Sequence, residues 1–248
     1  MSEEFPTPRT AIVTGGAKRI GAELVRALAA DGWHVLIHYN RSRAEAEALA
    51  AEVGNAAIVQ TELADPDCAE RIMAALDGCP PARLLVNSAS QFRYDSTADF
   101  TLDQWDEHQA VNLRAPALLS QAFARRLDGS GLIVNLLDAK LAAPNPDFFT
   151  YTMSKIGLAG LTELTARAYA PQIRVCGIAP SVTLVSGPQS RENFDEVHRL
   201  NALQRGVDVA DIVAALRFIV ATPTLTGQTI ALDAGQRFLS LPRDVQFL

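Results

Sequence analysis

The sequence contains no long apolar run, few cysteines and no block of basic residues. No hydrophobic stretch is long enough to span a membrane, so no transmembrane segment is expected. The first ten residues, MSEEFPTPRT, are acidic and lack the apolar core of a signal peptide, which predicts a cytoplasmic protein. The net charge is −6 and the basic residues are dispersed, so neither nucleic acid nor a membrane is expected as a partner.

Cysteine is too sparse to predict a disulfide framework or a metal centre. Cys68, Cys79 and Cys176 are scattered without the paired spacing of a metal site, and we expect reduced packing residues and no bound metal. With 248 residues, 48% of them hydrophobic, the chain can bury a sizeable core, and we predict a single domain over residues 1–248.

Short apolar segments alternate with helical patterns along the chain. The predicted strands are Thr10–Thr14, Trp33–Tyr39, Ala57–Leu63, Leu84–Asn87, Leu132–Leu137, Ile173–Ile178 and Thr229–Leu232. Helices are predicted between them, including Arg43–Val53, a long helix around Leu102–Leu127 and one from near Tyr151 toward Ala170. This alternation predicts an α/β fold of the Rossmann type, a doubly wound parallel sheet with helices on both faces.

A glycine-rich turn follows the first predicted strand. Gly15-Gly16-Ala17-Lys18-Arg19-Ile20-Gly21 leads into a helix whose apolar stripe includes Leu24 and Leu28. Strand, glycine turn and helix N-terminus together form a cradle for a pyrophosphate, because backbone N–H groups point at the anion and small residues let it approach. The alternative is a tight turn without a ligand.

The end of the second predicted strand indicates which dinucleotide fits. In NAD-binding units an acidic residue about 20 positions beyond the glycines holds the ribose 2′-hydroxyl. Here the residue 20 positions after Gly21 is Arg41, within Asn40-Arg41-Ser42-Arg43. An arginine attracts a 2′-phosphate that a carboxylate would repel, so we predict NADP(H). A solvated basic turn at the start of the next helix is the alternative.

Asp138, Tyr151 and Lys155 follow the fifth predicted strand. Tyr151 and Lys155 are four residues apart and therefore share a helix face, while Asp138 lies where the strand ends. A phenol has a pKa of about 10. A nearby ammonium favours the phenolate and can lower that pKa toward neutrality, which predicts a proton relay. Alone, Tyr-x-x-x-Lys also fits a chance pair on a solvated helix, and Asp138 could simply cap a turn.

The ordered set of motifs resembles the short-chain dehydrogenase/reductase family. The motifs are Thr14–Gly21, Asn87-Ser88-Ala89-Ser90, Asn112, Tyr151-x-x-x-Lys155 and Pro180, and they cover essentially the whole chain. Within the family, the chain is most similar to pteridine reductases and the related dihydromonapterin and dihydrofolate reductases. Asp138 stands where the wider family has its catalytic serine, and Arg19 where most relatives have glycine.

The resemblance implies a role for each site residue. Tyr151 would donate the proton, and Lys155 would bind the nicotinamide ribose and tune Tyr151. Asn112 would anchor a water behind Lys155, and Asp138 would orient Tyr151 and help relay the proton. The substrate-binding residues implied are Arg19, Ser90, Phe92, Asp138 and Tyr151. The implied NADP(H) contacts are Gly15, Lys18, Arg19, Ile20, Gly21, His38, Tyr39, Asn40, Arg41, Ser42, Glu62, Leu63, Asn87, Ser88, Ala89, Tyr151, Lys155, Pro180, Ser181 and Val182. Phe92 could instead be a core aromatic, and Asn112 an ordinary helix residue.

Asp138 favours one reaction over another. A serine can donate a hydrogen bond to a developing oxyanion, as ketone reduction requires. An ionised aspartate only accepts hydrogen bonds and suits a C=N substrate rich in N–H groups, such as a pterin or folate. We therefore predict NADPH-dependent reduction of a dihydropterin or dihydrofolate to the tetrahydro form. The alternatives are a ketoreductase acting on an acyl or sugar carbonyl, and an NADP-binding sensor or scaffold without catalysis.

Two segments have no assigned role at this stage. Ser186–Arg205 lacks clear periodicity and could be a mobile flap over the substrate or a plain surface loop. The tail Phe238–Leu248 is longer than the resemblance leads us to expect. Members of the family are often homotetramers whose C-terminus lies at a neighbouring subunit, and we expect a homotetramer here.

Overall fold

A computed structural model describes residues 5–186 and 189–247, and a parallel sheet lies at its centre. Its strands are β1 (Thr10–Val13), β2 (His34–Tyr39), β3 (Ala56–Gln60), β4 (Ala82–Asn87), β5 (Gly131–Leu136), β6 (Ile173–Pro180) and β7 (Thr229–Leu232). They are arranged in the order β3-β2-β1-β4-β5-β6-β7, and each neighbouring pair is parallel.

Helices cover both faces of the sheet, because the strand residues on each face are apolar. The helices are α1 (Arg19–Ala30), α2 (Arg43–Val53), α3 (Cys68–Ala74), α4 (Leu102–Gln109), α5 (Ala115–Arg126), α6 (Phe149–Tyr169), α7 (Arg191–Val197) and α8 (Val209–Ala221). In β1, Val13 packs in a cluster with α1 and α8, whereas its neighbour Ile12 packs in a cluster with α3 and α5. The predicted doubly wound α/β fold is confirmed.

Several predicted boundaries were wrong by a few residues. The third strand was predicted to reach Leu63 but ends at Gln60, because the chain then turns and the N–H of Asp65 donates to the carbonyl of Glu62. The helix predicted around Leu102–Leu127 is divided into α4 and α5 by a π-helical turn over Ala110–Arg114. Helix α6 begins at Phe149, two residues before the predicted start.

The two unassigned segments contain short helical elements. Ser186–Arg205 includes α7, whose Phe194 and Val197 are buried, while Gly187 and Pro188 lie outside the described residues. The tail forms 3-10 turns at Gln236–Leu239 and Val245–Phe247, and Leu248 and the first four residues of the chain are also outside the described part. Over the described residues, no helix has the length and apolar character needed to cross a membrane.

The carboxyl ends of the parallel strands meet along one edge of the sheet. From β1 the strands continue in chain order through β2 to β3 toward one end of the sheet. From β4 they continue through β5 and β6 to β7 toward the other end, so the strand order reverses between β1 and β4. Open α/β sheets bind their ligands in the crevice outside such a reversal point. The loops that follow β1, β4, β5 and β6 converge there.

Candidate active site

A large cavity of about 800 Å³ opens at these carboxyl ends. Of the residues predicted to bind cofactor or substrate, or to act in catalysis, all but Asn87 and Asn112 line it. The sequence motifs therefore converge on one continuous cavity, which reaches from the end of β2 past the glycine turn to Asp138 and Tyr151.

The glycine turn is shaped so tightly that side chains are excluded from it. A Cβ at Gly21 would lie 2.2 Å from the carbonyl oxygen of Gly15, and Gly15 itself has a φ of +62°. A Cβ at Gly15 would lie 2.9 Å from the Cα of Ala89 in the loop after β4. The turn thus presents bare backbone at the start of α1, as a cradle for phosphate groups requires.

His38 holds the glycine turn in place through hydrogen bonds. Its Nδ1 accepts a hydrogen bond from the N–H of Gly15 at 3.0 Å, and its Nε2 is 3.0 Å from the carbonyl oxygen of Thr61. A ring that accepts at Nδ1 and donates at Nε2 is neutral, and burial lowers the pKa of His38. The predicted contact residue His38 therefore also fixes the turn.

The basic residues near the end of β2 differ in whether they form ion pairs. Lys18 forms an ion pair with Glu45, and Arg43 forms one with Glu47 at 2.7 Å. Within residues 5–186 and 189–247, exposed Arg41 has no ion-pair partner, and it lines the cavity whereas Arg43 does not. Arg41 is therefore the available cation for an anionic group at this end.

Arg19 occupies a backbone conformation that favours glycine. Its φ is +54°, in the left-handed region, and its guanidinium donates to the hydroxyl of Ser186 at 3.3 Å. A non-glycine residue at positive φ is costly, and such outliers cluster at functional sites. The Arg19 guanidinium adds a cation to the cavity wall between the glycine turn and the loop after β6.

The Asp138 carboxylate connects the end of β5 to the start of α6. Its Oδ2 accepts a hydrogen bond from the Tyr151 hydroxyl at 2.7 Å, while its Oδ1 accepts from the backbone N–H of Lys140 at 2.8 Å. Asp138 therefore caps the turn after β5 and also contacts Tyr151. Burial, together with the negative charge of Asp138, raises the pKa of Tyr151 well above its ordinary value.

This direction corrects the expectation that Lys155 lowers the pKa of Tyr151 toward neutrality. The tyrosine is buried and bonded to an anion, and both conditions favour the protonated phenol. The Lys155 ammonium lies 5.6 Å from the centre of the Tyr151 ring and donates to the carbonyl oxygen of Leu136 at 2.7 Å. Burial lowers the pKa of Lys155 to about 8.

Asn112 and Asn87 lie behind the cavity wall. Asn112, in the π-helical turn, donates to the carbonyl of Gln91 at 2.9 Å and to the Ser154 hydroxyl at 3.0 Å, and accepts from the N–H of Gln91 at 2.7 Å. Asn87, predicted to contact the cofactor, is buried and donates to Asn135 at 2.8 Å, because the two residues are register partners on the neighbouring strands β4 and β5. Both residues therefore hold the wall in place.

Phe92 belongs to a group of aromatic side chains that packs against Tyr151. Its ring stacks on Phe148 with centroids 4.4 Å apart and meets Tyr151 edge-on at 4.7 Å. Phe148 in turn packs against Tyr94 and Phe247. Phe92 is half-buried and lines the cavity, so it is both a packing residue and an accessible aromatic surface.

Sequence reasoning missed two sets of residues around the site. The first set belongs to the turn after β5, the turn after β7 and the tail: Lys140, Gln236, Arg237, Asp244 and Gln246 all line the cavity. The second is a buried network behind Tyr151, in which His108 bonds to Thr150 at 2.7 Å and Thr150 donates to Asp95. No local sequence pattern marks either set, because each is assembled by segments far apart in the chain.

Comparison with known proteins indicates the family that the sequence motifs resemble. The short chain dehydrogenase family model matches residues 9–195. Pteridine reductase 1 of Leishmania tarentolae is 31% identical, over 93% of this chain and 96% of that protein. The 3-oxoacyl-[acyl-carrier-protein] reductase of Synechocystis is 28% identical, over 92% of this chain and 97% of that protein.

A solved structure is more similar still. FolM alternative dihydrofolate reductase 1 of Brucella canis, complexed with NADP, superimposes with a TM-score of 0.91 and 38% identity, over 96% of this chain and 97% of that chain. The family match spans most of the sequence, and residues of the glycine turn, Tyr151 and Lys155 all line the cavity. The chain belongs to the short-chain dehydrogenase family and is an oxidoreductase.

Proposed function

We propose that this protein uses NADPH to reduce the C=N bond of a dihydropterin or dihydrofolate, giving the tetrahydro form. The observation that carries the proposal is the 2.7 Å hydrogen bond from the Tyr151 hydroxyl to Asp138. At this position an acceptor replaces the serine donor found in most of the family, so the site favours a substrate rich in N–H groups.

The residues of the cavity fit NADP(H). The bare backbone of the glycine turn suits the pyrophosphate, and the available cation Arg41 suits a 2′-phosphate. The NADP complex of the similar Brucella protein supports the same cofactor here. When bound, NADPH supplies the hydride for the reduction. Lys155, whose ammonium lies beside the Tyr151 ring, is the residue we assign to the nicotinamide ribose.

Tyr151 is the proton donor in this proposal. Its raised pKa keeps the phenol protonated near neutral pH, so a proton is present for transfer to the nitrogen of the C=N bond. Asp138 holds the hydroxyl in one direction and accepts N–H groups of the substrate. Asn112 fixes the Gln91 backbone and Ser154, next to Lys155 in the chain, and Phe92 offers an aromatic face for a flat heterocycle.

Ketone reduction fits the site less well. A developing alkoxide would face the negative charge of Asp138 at the position where the family supplies a serine hydroxyl. A ketoreductase is nevertheless the second candidate, because the chain is also 28% identical to a 3-oxoacyl-[acyl-carrier-protein] reductase.

One panel of NADPH-oxidation assays tests the proposal. The substrates are dihydrobiopterin, dihydromonapterin, dihydrofolate and an acetoacetyl thioester, each with NADPH and with NADH. We expect turnover of at least one dihydropterin or dihydrofolate, with kcat/KM well above that for the thioester. Preference for the thioester would establish the ketoreductase instead. NADPH binding without turnover of any substrate would support a non-catalytic sensor or scaffold.

A further inference from the structure

The end of the chain forms one wall of the active-site cavity. We refer to Leu241–Phe247 as the terminal segment, and its Leu241, Asp244, Val245 and Gln246 line the cavity. The segment is anchored to the loop before α6. Arg243 donates to the two carboxylate oxygens of Asp147 at 2.8 and 3.2 Å, and the N–H of Asp244 donates to Asp147 at 2.8 Å.

Within this wall, Asp244 faces a buried lysine. Lys140 Nζ lies 3.6 Å from Asp244 Oδ2, and the two side chains are only 9% and 17% exposed. Lys140 also donates to the carbonyl of Asp147, and Asp244 Oδ1 accepts from the N–H of Gln246 at 3.1 Å. A separation of 3.6 Å is longer than an ordinary hydrogen bond, so Lys140 and Asp244 keep capacity to bind a third group beside them.

The pair lies next to the residues assigned to proton transfer. Asp138 bonds to Tyr151 through one oxygen and to the backbone of Lys140 through the other. Burial raises the pKa of Asp244, with a smaller contribution from the charge of Asp138, and the charge of Asp244 in turn raises the pKa of Tyr151. These charges therefore act on one another across a short distance.

In the proposed reaction, a substituent of the substrate would lie next to this wall. When a dihydropterin is reduced, the hydride goes to the carbon of the C=N bond and the proton to its nitrogen. That carbon also carries the side chain of the pterin. The side chain thus begins one bond away from the reacting atoms, and the wall adjoining Asp138 and Tyr151 includes Lys140 and Asp244.

We propose that Lys140 and Asp244 form a subsite for the substituent of the substrate and favour a substituent that carries hydroxyl groups; this proposal rests on the proposed function. A hydroxyl group both accepts and donates, so it can accept from the Lys140 ammonium and donate to the Asp244 carboxylate. A substituent without hydroxyls leaves both buried groups without that partner. Sites that hydrogen-bond a hydroxyl discriminate strongly against analogues that lack it.

The test compares two dihydropterins that differ only in this substituent. The hydroxylated probe is dihydromonapterin, and the plain probe is 6-methyl-7,8-dihydropterin. We expect the wild-type kcat/KM to be at least about tenfold higher for the hydroxylated probe, as a lost hydrogen bond to a charged group predicts. Asp244→Asn and, independently, Lys140→Gln should remove most of that preference, because each variant should lower kcat/KM for the hydroxylated probe more than for the plain probe.

Two control variants separate recognition from structure. Asp31→Asn removes a carboxylate from an exposed ion pair with Arg217 outside the cavity, and it should leave both activities unchanged. Arg243→Gln loosens the terminal segment without removing a cavity-lining side chain, so it reports what anchoring alone contributes. Melting temperatures and NADPH affinity are measured for every variant.

The outcomes distinguish the subsite from the function on which it rests. Equal wild-type activity on both probes, or equal loss of both activities in Asp244→Asn and Lys140→Gln, would overturn the subsite while leaving pterin reduction intact. A change of preference in Arg243→Gln as large as in Asp244→Asn would assign the effect to anchoring and overturn it as well. If the wild type reduces neither probe, the proposed function fails and the subsite fails with it.

Discussion

At the scale of single residues, Asp138 combines two tasks that sequence reasoning treated as alternatives. One oxygen caps the turn after β5, and the other accepts the Tyr151 hydroxyl at 2.7 Å. The cap fixes the carboxylate, and the fixed carboxylate in turn fixes the phenol. The anion favours the protonated phenol, so Tyr151 keeps its proton next to the cavity. The Lys155 ammonium lies 5.6 Å from the centre of the same ring.

Arg41 makes the prediction of cofactor choice testable. It lines the cavity without an ion-pair partner among the described residues, so Arg41→Asp should raise the KM for NADPH by about tenfold or more, since each factor of ten corresponds to about 1.4 kcal/mol of binding. The KM for NADH should change far less. Arg43→Asp is the matched control, because Arg43 is exposed, is paired with Glu47 and does not line the cavity.

Steady-state kinetics with NADPH and with NADH test this prediction of cofactor choice. An equal rise of both KM values in Arg41→Asp would mean that Arg41 stabilises the turn after β2 rather than a 2′-phosphate. An Arg43→Asp variant that behaves like Arg41→Asp would mean that general surface charge, not one arginine, sets the preference for NADPH.

At the scale of elements, local patterns predicted the strands and the motifs but not what joins them. The glycine turn and the apolar strands are encoded by neighbouring residues, and both were found. The π-helical turn that carries Asn112 was not, because it depends on tertiary bonds from Asn112 to Gln91 and Ser154. The terminal segment was assigned no role, because its anchor, Asp147, lies about one hundred residues earlier in the chain.

The loop after β4 gives the second prediction. Phe92→Ala should weaken binding of a dihydropterin by about two- to tenfold, because ring stacking contributes about 0.5–1.5 kcal/mol beyond the burial of area. NADPH affinity should stay nearly unchanged. The stack with Phe148 at 4.4 Å also predicts some loss of thermal stability. Phe100→Ala is the matched control, because Phe100 contacts Trp105 and Phe149 outside the cavity.

Titration calorimetry with both ligands, together with melting curves, measures these effects. A Phe92→Ala variant that loses stability but binds the dihydropterin as tightly as wild type would show that Phe92 serves only to pack the loop. Equal losses in Phe92→Ala and Phe100→Ala would lead to the same conclusion.

At the scale of the whole molecule, buried neutral histidines predict how stability depends on pH. Burial lowers the pKa of both His38 and His108 below the ordinary 6.5. The unfolded chain therefore binds more protons than the native protein below about pH 6.5, and the free energy of unfolding must fall as the pH drops through that range. The stabilisation is fully present above pH 6.5 and is lost on acidification toward the native pKa values.

Urea unfolding at pH 7.5, 6.5 and 5.5 measures this effect. Because the pKa of both histidines is lowered in the native protein, we expect the free energy of unfolding to be lower at pH 5.5 than at pH 7.5. His108→Gln should reduce the pH slope by the share of one histidine, whatever its effect on absolute stability. Stability that stays constant or increases down to pH 5.5 would contradict the neutral, buried state of these two rings. The homotetramer stays a prediction, and sedimentation at the same pH values would measure it.

The central claim is that Asp138 adapts a short-chain dehydrogenase site to C=N reduction. Asp138→Asn keeps the shape of the side chain but removes its charge, so turnover of a dihydropterin should fall by about 10²-fold or more, as expected for loss of a positioned proton-transfer group. Asp138→Ser restores the usual residue of the family and should also lose dihydropterin turnover. Tyr151→Phe is the control for the shared donor and should abolish every activity.

The most direct measurement is kcat for NADPH oxidation by wild type, Asp138→Asn and Asp138→Ser, with a dihydropterin and with an acetoacetyl thioester. We predict that wild type prefers the dihydropterin and that both variants lose that activity, while Asp138→Ser retains or gains weak thioester reduction. Near-normal dihydropterin turnover in Asp138→Asn, or a wild-type enzyme that prefers the thioester, would contradict the claim.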